Sequence, residues 1–194
     1  MVSKYESAFL ALGPVFNTTV PNIEYQHLYE VAGIDIAGPS CRKDNNLSGF
    51  PSSFARWDSA AMRAGFGMFS ELTADERFAT SAWILESYGR NGVAAVPAGE
   101  NAIAPEERSL HLLNSPLLWW VGDDEAARKK AITYGERIRK AVRRDSSHAY
   151  VNYAVGGEEL GDVYGRDGER LKRLRGLKKL YDPHNRFGYY MPIR

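Results

Sequence analysis

Two tyrosines and an asparagine near the end of the chain, in the run Tyr150-Val151-Asn152-Tyr153, carry side chains that could take part in chemistry. A tyrosine hydroxyl accepts a proton at neutral pH only if its pKa, about 10 when unperturbed, is lowered by a nearby positive charge or hydrogen-bond donor. The alternative is a structural tyrosine whose hydroxyl bonds to a neighbour in the core. The pattern predicts a strand over residues 150–155, which would place Tyr150 and Asn152 on one face and Tyr153 on the other.

A basic amphipathic helix is predicted shortly after this run. Apolar residues recur there at three- and four-residue spacing, which collects them on one helical face and leaves lysines and arginines on the other. The apolar positions are Leu171, Leu174, Leu177, Leu180 and Tyr181. Asp182-Pro183 ends the helix because the residue before a proline is disfavoured in helical geometry. An extended tail over residues 187–193 follows.

The elements upstream mix helices and strands without a strict β-α-β order. Helices are predicted over residues 23–31, over residues 60–72 and from Asp123 onward, and strands over residues 78–88, 93–96 and 117–121. Residues 1–15 are expected to be extended, and residues 37–53 to form a long loop. This mixture favours an α+β fold, a mainly antiparallel sheet with helices packed on one face.

Composition bounds the class of protein. At 194 residues the chain is expected to be one domain, or one domain with a C-terminal extension. The net charge of +1 gives no case for nucleic-acid binding. Basic clusters over residues 129–144 and 170–179 are interpreted as solvated helix faces, with a rim for an anionic ligand or partner as the alternative. Without an apolar run of about 20 residues, we expect no membrane span.

The N-terminal residues 1–6 are polar and do not form a signal peptide, so we expect a cytoplasmic protein or an excised piece of a larger one. Cys41 is the single cysteine, which excludes an intrachain disulfide. The four histidines show no metal-ligand spacing, so no metal site is expected, and His111 is interpreted as a core histidine. The sequence also lacks a P-loop, a nucleophile elbow and an HExxH motif.

Four short motifs near the end of the chain occur in a fixed order over roughly fifty residues. They are Tyr-x-Asn-Tyr from Tyr150, Tyr164-Gly165, Arg-Leu-x-x-Leu-Lys within the predicted helix, and Tyr-Asp-Pro-x-Asn-x-Phe from Tyr181. Together they resemble the C-terminal segment of the berberine-bridge-enzyme-like FAD-linked oxidases, fungal type. Residues 9–15, 86–89, 101–108 and 115–119 resemble the substrate-binding domain of that family. The resemblance implies a substrate-binding region over residues 1–144 and a C-terminal segment over residues 145–194, as one structural unit.

The resemblance also implies roles for individual residues. In many members of the family, the tyrosine at the Tyr153 position acts as general base while hydride passes to the flavin. Asn152 would lie near the flavin ring, and Asn185 would help the tail fold back toward the cofactor. The residues expected to line the substrate cavity are Tyr150, Glu86, Tyr88 and Trp83. Family members often have an aspartate soon after the tyrosine, where this chain has Ala154.

The chain contains no glycine-rich stretch after a strand that could cradle a pyrophosphate. FAD is therefore expected only if a flavin-bearing half or partner is present, and otherwise no cofactor. The first hypothesis is the substrate-binding and catalytic half of an FAD-dependent oxidoreductase acting on a natural product or sugar. The second is a flavin-free isomerase or cyclase, and the third an inactive small-molecule-binding module. An FAD-binding partner chain or a homo-oligomer is expected, because loss of the flavin half would expose a surface.

Overall fold

The chain divides into two compact units, Met1–Lys43 and Asp44–Arg194. The computed structural model describes residues 3–15, 17, 20, 22–38, 41, 43–104, 106–110, 112–143 and 148–194. The first unit contains helix α1 (Ser3–Leu10), a 3-10 turn (Tyr25–His27) and the short helix α2 (Leu28–Val31). The prediction of an extended segment at the N-terminus is therefore wrong for Ser3–Leu10. The domain boundary predicted between residues 144 and 145 lies outside the described residues.

The second unit is built on an antiparallel sheet around one long central strand. The strands are β1 (Asn45–Gly49), β2 (Ser52–Phe54), β3 (Ala82–Ser87) and the central β4 (Leu112–Val121). β1 and β2 follow one continuous register along one edge of β4, and β3 pairs with its other edge. The interruption falls at Phe50-Pro51, where proline has no N–H to donate. The loop predicted over residues 37–53 is wrong for β1 and for the start of β2.

Helices α3 (Ser59–Thr73) and α5 (Glu125–Arg143) pack on one face of this sheet, as the predicted α+β fold requires. The core between them is closed by small residues on α5. The main buried residues are Phe50, Leu72, Phe78, Leu118, Trp120, Ala127 and Ala131. Gly135 continues the small stripe, and a Cβ built there would lie 2.1 Å from the Phe50 ring. The sheet and α5 can approach this closely only because Gly135 has no side chain.

Two predicted strands take other forms. Residues 93–96 were expected to form a strand, but Asn91–Ala95 is the short helix α4. The expected strand over residues 150–155 is a turn, because the N–H groups of Tyr153 and Ala154 both donate to the Tyr150 carbonyl at 2.9 and 3.0 Å. We call residues 150–154 the tyrosine turn. Its backbone hydrogen bonds are local, so it joins no sheet edge.

After α5 the chain forms α6 (Leu160–Tyr164), α7 (Glu169–Tyr181) and a tail, whereas a 3-10 helix (Glu106–Ser109) lies earlier, shortly before β4. The predicted helix and its end at Asp182 are confirmed. The Asp182 carboxylate accepts the N–H groups of Arg186 at 2.7 Å and Phe187 at 3.0 Å, which turns the chain back after α7. The tail then reaches the tyrosine turn, where the Tyr190 hydroxyl donates to the Ala154 carbonyl. No helix in the described part of the chain is long and apolar enough to cross a membrane.

Candidate functional site

Strand β3 separates two kinds of side chain onto its two faces. Trp83 packs against α3, with its ring 5.7 Å from the Phe69 ring and 6.3 Å from the Phe66 ring. Side chains alternate along a strand, so Glu86 lies on the sheet face away from the helices. The alternation of residue types over residues 78–88 is too loose to predict which face Glu86 and Tyr88 take. The helix-free face of the sheet therefore carries a carboxylate.

Both oxygens of the Glu86 carboxylate accept hydrogen bonds from tyrosines. Tyr153 donates its hydroxyl to Oε2 at 2.7 Å, and Tyr88 donates its hydroxyl to Oε1 at 2.7 Å. Tyr88 comes from the end of the same strand, whereas Tyr153 comes from the tyrosine turn. Tyr88 is 55% exposed, so this carboxylate and its partners lie at the protein surface.

The tyrosine turn brings two further predicted residues to the same place. The Tyr150 ring stands edge-on to the Tyr153 ring, with centroids 5.7 Å apart and planes at 85°. The Asn152 amide donates to the Tyr150 hydroxyl at 2.9 Å. The predicted separation of Asn152 and Tyr153 onto two faces of a strand is wrong. These residues form a turn, and a turn places on one side the side chains that a strand would direct to opposite faces. We call the five residues Glu86, Tyr88, Tyr150, Asn152 and Tyr153 the Glu86 cluster.

The electrostatics of the cluster reverse one expectation. Burial raises the pKa of the Tyr153 hydroxyl well above its usual value, and the hydrogen bond to the Glu86 carboxylate raises it further. Its hydrogen bond to Glu86 likewise raises the pKa of Tyr88. The sequence hypothesis required a lowered pKa, but the group nearest to Tyr153 is an anion rather than a cation. Tyr153 is therefore a neutral donor at physiological pH.

A second acidic residue shapes the far end of the tyrosine turn. The Glu158 carboxylate accepts the N–H of Val155 at 3.0 Å and the N–H of Gly156 at 2.9 Å. Sequence reasoning missed this residue, although an acidic side chain just after Gly156-Gly157 is a signal for such a contact. Family members often have an aspartate soon after the tyrosine, and this chain has Ala154 there instead. Glu158 supplies an acidic side chain in the same region.

The remaining predicted site residues lie elsewhere. Trp83 donates its indole N–H to the Asn114 side chain within the core between sheet and helices. Asn185 lies in the loop after α7 with a φ of 50°, and its side chain lies against Gly188. Trp83 thus lies on the opposite face of β3 from Glu86, and Asn185 lies in a loop away from the contacts that define the Glu86 cluster. His111, interpreted as a core histidine, lies outside the described residues.

A metal ion and a flavin each require a particular arrangement of binding groups. Within the described ranges, no three histidine, cysteine, aspartate or glutamate side chains come together in a way that could hold a metal ion. A flavin pyrophosphate is typically bound by free N–H groups at a helix N-terminus. In the second unit, those of α3, α5 and α7 already donate to Asp58, Asp124 and Asp167 at 2.9 to 3.0 Å. Carboxylates therefore already bond to backbone donors at these three helix N-termini, where a pyrophosphate would need free N–H groups.

Sequence comparison places the chain among fungal flavoproteins, although no protein-family model matches it. It is 29% identical over 197 residues to the FAD-linked oxidoreductase chyH of Penicillium rubens, covering 98% of this chain and 39% of that protein. It is 30% identical over 175 residues to the FAD-linked oxidoreductase chry5 of Gibberella zeae, covering 87% of this chain and 34% of that protein. The chain thus spans between a third and two fifths of the length of these relatives.

Solved structures give the same architecture. Berberine bridge enzyme from Eschscholzia californica matches with a TM-score of 0.67 and 15% identity, over 98% of this chain and 42% of that one. The chain corresponds to part of a berberine-bridge-enzyme-like FAD-linked oxidase. A carbohydrate oxidase from Microdochium nivale matches this berberine-bridge-enzyme-like chain with a TM-score of 0.56 and 21% identity, over 77% of this chain and 33% of that one. At these identities the structural matches establish the fold alone.

Proposed function

We propose that this chain forms the substrate-binding and proton-transferring part of an FAD-dependent oxidoreductase that acts on a small molecule, a natural product or a sugar. The observation that carries the proposal is the 2.7 Å hydrogen bond from the Tyr153 hydroxyl to the Glu86 carboxylate. It joins an acid and a base from two distant parts of the sequence on the face of the sheet that α3 and α5 leave uncovered. Two further tyrosines, Tyr88 and Tyr150, and the Asn152 amide lie beside that pair.

The pair supports proton transfer from a substrate hydroxyl. Tyr153 is neutral, so its oxygen accepts a substrate proton only as its own proton passes to Glu86. The substrate O–H bond breaks, a new O–H bond forms on Tyr153, and the former Tyr153 proton bonds to Glu86 Oε2. The net result is one proton moved from the substrate to the carboxylate, with Tyr153 unchanged.

The other members of the Glu86 cluster are suited to hold the substrate. Tyr88 keeps one carboxylate oxygen occupied, which leaves the other directed at Tyr153. Tyr150 and Asn152 offer an aromatic face and an amide beside the reacting hydroxyl. Aromatic walls with a few fixed polar groups are typical of small-molecule sites. This arrangement orients a hydroxylated substrate toward Tyr153.

An oxidation also needs an acceptor for the electron pair that leaves the substrate carbon. A flavin supplies that chemistry in an FAD-linked enzyme. We assign the flavin to another polypeptide segment or a partner chain, because carboxylates already bond to backbone donors at the N-termini of α3, α5 and α7. This chain then contributes the proton acceptor and the substrate wall.

A second candidate function is a flavin-free isomerase or cyclase. The observation that favours it is that the Tyr153–Glu86 pair is complete without any further group, while backbone donors at the N-termini of α3, α5 and α7 already bond to carboxylates. Orientation and acid/base contacts alone would then accelerate the reaction.

An absorption spectrum separates the two candidates. The purified chain is measured alone and again after incubation with FAD and gel filtration. Under the oxidoreductase proposal the isolated chain stays colourless, and the flavin absorbance is bleached by substrate only when a flavin-bearing segment or partner is present. Turnover of a substrate by the colourless chain, with no change in its oxidation state, would establish the isomerase or cyclase instead.

A further inference from the structure

A buried polar contact lies just before the tyrosine turn. His148 is 5% exposed, and its Nε2 atom contacts the Glu107 carboxylate. Glu107 is also mostly shielded, with 18% of its side chain exposed. His148 precedes Tyr150 by two positions. The proton transfer described above does not use this pair, and a buried polar contact of this kind fixes geometry strongly.

The position of Glu107 links this contact to the sheet. Glu107 lies in the 3-10 helix Glu106–Ser109, which leads directly into β4. β4 pairs with β3 so that Leu113 lies opposite Glu86. The carboxylates of Glu86, in β3, and of Glu107, just before β4, therefore make contacts in the same region, at the tyrosine turn and at the residue that leads into it. Glu107 contacts the residue at its root, and Glu86 contacts the tyrosine near its end.

The root of the turn is too well packed to move independently of His148. The Ala149 N–H donates to the Asp162 carbonyl at 3.0 Å. Ala149 and Ala154, at the two ends of the turn, are both 2% exposed and pack with Val163 and Met191. Because this region is closely packed, a displacement of His148 would displace the whole tyrosine turn.

We propose that His148 and Glu107 are positioning residues, which hold the tyrosine turn where the Tyr153 hydroxyl reaches Glu86. This inference rests on the function proposed above, because it concerns the same proton-transferring pair. Removing the Glu107 carboxylate would let the root of the turn shift. Tyr153 would then lose its short hydrogen bond while the sheet and Glu86 remain in place.

The test is NMR on the full chain with tyrosine labelled at Cζ, whose shift follows hydrogen bonding and ionisation of the hydroxyl. The chain has 11 tyrosines, so the Tyr153 line is assigned by its absence in Tyr153→Phe. The ionisable groups that face Tyr153 are Glu86 and Tyr88 from β3 and Tyr150 from its own turn. All three are retained in every variant at position 107, so a change at Tyr153 reports its position.

In the wild type we expect Tyr153 to titrate above the other tyrosines. In Glu107→Ala its titration should fall toward the ordinary value of about 10. Glu107→Gln should restore the wild-type titration, because an amide still hydrogen-bonds to His148. Glu76→Ala, at an exposed glutamate, is the matched control and should change nothing. If Glu107→Ala does not fold, Glu107→Asp, which is too short to reach His148 without moving the turn, gives the same comparison.

A wild-type Tyr153 titration in the folded Ala or Asp variant would overturn the positioning role and leave the proposed function intact. An ordinary titration of Tyr153 in the wild type would refute the contact with Glu86, and with it both the proposed function and this inference.

Discussion

At the scale of single residues, the chemistry depends on which group lies beside Tyr153. Glu86 makes Tyr153 a neutral hydrogen-bond donor, whereas a cation in that place would have made it a ready base. Under the proposed function, the tyrosine works as a relay and the carboxylate is the final proton acceptor, so the base is Glu86 acting through Tyr153.

Replacing Tyr153 by phenylalanine removes the relay without changing the shape of the turn. We expect turnover by the flavin-loaded enzyme to fall by about 10²- to 10⁴-fold, the usual contribution of a general base. Steady-state kinetics measures this, with Tyr181→Phe as a control at a tyrosine that is 78% exposed. Unchanged turnover in Tyr153→Phe would exclude the relay.

Glu86→Gln separates the carboxylate from the hydrogen bond. Glutamine still accepts from a tyrosine hydroxyl but cannot take up a proton, so we expect a loss of turnover similar to that of Tyr153→Phe. The hydroxyls of Tyr88 and Tyr153 should both ionise at lower pH than in the wild type, because the anion that raises their pKa values is gone. Ultraviolet difference titration measures the ionisation, and two unchanged tyrosine transitions would contradict the assignment.

The raised pKa of Tyr153 also predicts how stability depends on pH. The folded protein keeps the Tyr153 proton at a pH where the unfolded chain loses it. This contribution to the free energy of unfolding is complete below pH about 10 and is lost as the pH rises toward the folded pKa. Urea unfolding at pH about 8 and about 11 should therefore show a larger loss for the wild type than for Tyr153→Phe. Parallel losses would count against the raised pKa; tyrosines common to both proteins cancel in the comparison.

At the scale of elements, the second unit depends on how closely α5 approaches the sheet. Ala127, Ala131 and Gly135 follow at four-residue intervals and form a stripe of small residues on one side of the helix. Phe50 fills the space over this stripe and is 5% exposed, so moving its ring into solvent would cost free energy. The same helix carries its charged residues on the outer face.

Gly135→Ala therefore tests the close approach. The added methyl group would meet the Phe50 ring, and overpacking of this kind costs about 1–3 kcal/mol. Gly67→Ala in α3 is the matched control, because a Cβ there meets nothing within 4 Å. We expect the control to stabilise the protein by about 0.5–1 kcal/mol through the better helix propensity of alanine. Denaturant unfolding of both variants measures the difference, and a neutral Gly135→Ala would show that the sheet and α5 can separate.

At the scale of the whole molecule, the C-terminal helix and tail leave apolar groups in solvent. Leu180 is 68% exposed, Phe187 84% and Tyr189 99%. The Lys178 ammonium donates to the Phe187 carbonyl at 2.8 Å, which holds the tail beside the end of α7. Large apolar side chains exposed on neighbouring segments are typical of an interaction site. We propose that this surface is covered by a second copy of the chain or by a flavin-bearing partner.

The corresponding prediction concerns self-association. In the absence of a partner, we expect the chain to form dimers or larger species as its concentration rises. The double variant Phe187→Ser with Tyr189→Ser should shift the equilibrium toward monomer, whereas Lys172→Ser on the charged side of α7 should not. Sedimentation over a wide concentration range measures this, and a wild-type monomer throughout would contradict the proposal.

Much of this protein follows from sequence alone, because local periodicity and helix-ending signals act over a few residues. Helices α3, α5 and α7, the stop at Asp182 and the α+β class were all predicted in this way. The motif from Tyr150 to Tyr153 also predicted the candidate site, and the structure places three of its residues beside Glu86 or one another. The site itself needed the tertiary structure. Tyr153 meets Glu86 across 67 positions of chain, and nothing local in either segment encodes that pairing.

The same reason explains the errors. Residues 150–155 have strand-forming side chains, but whether they form a strand depends on the partners that their backbone meets in space, and here the Tyr153 and Ala154 N–H groups donate to the Tyr150 carbonyl. The segment folded instead into a turn that groups Tyr150, Asn152 and Tyr153. Sequence determined which residues are candidates for the site. Only tertiary structure decided that the neighbour of Tyr153 is an anion, because the sign of a pKa shift is set by groups brought close in space.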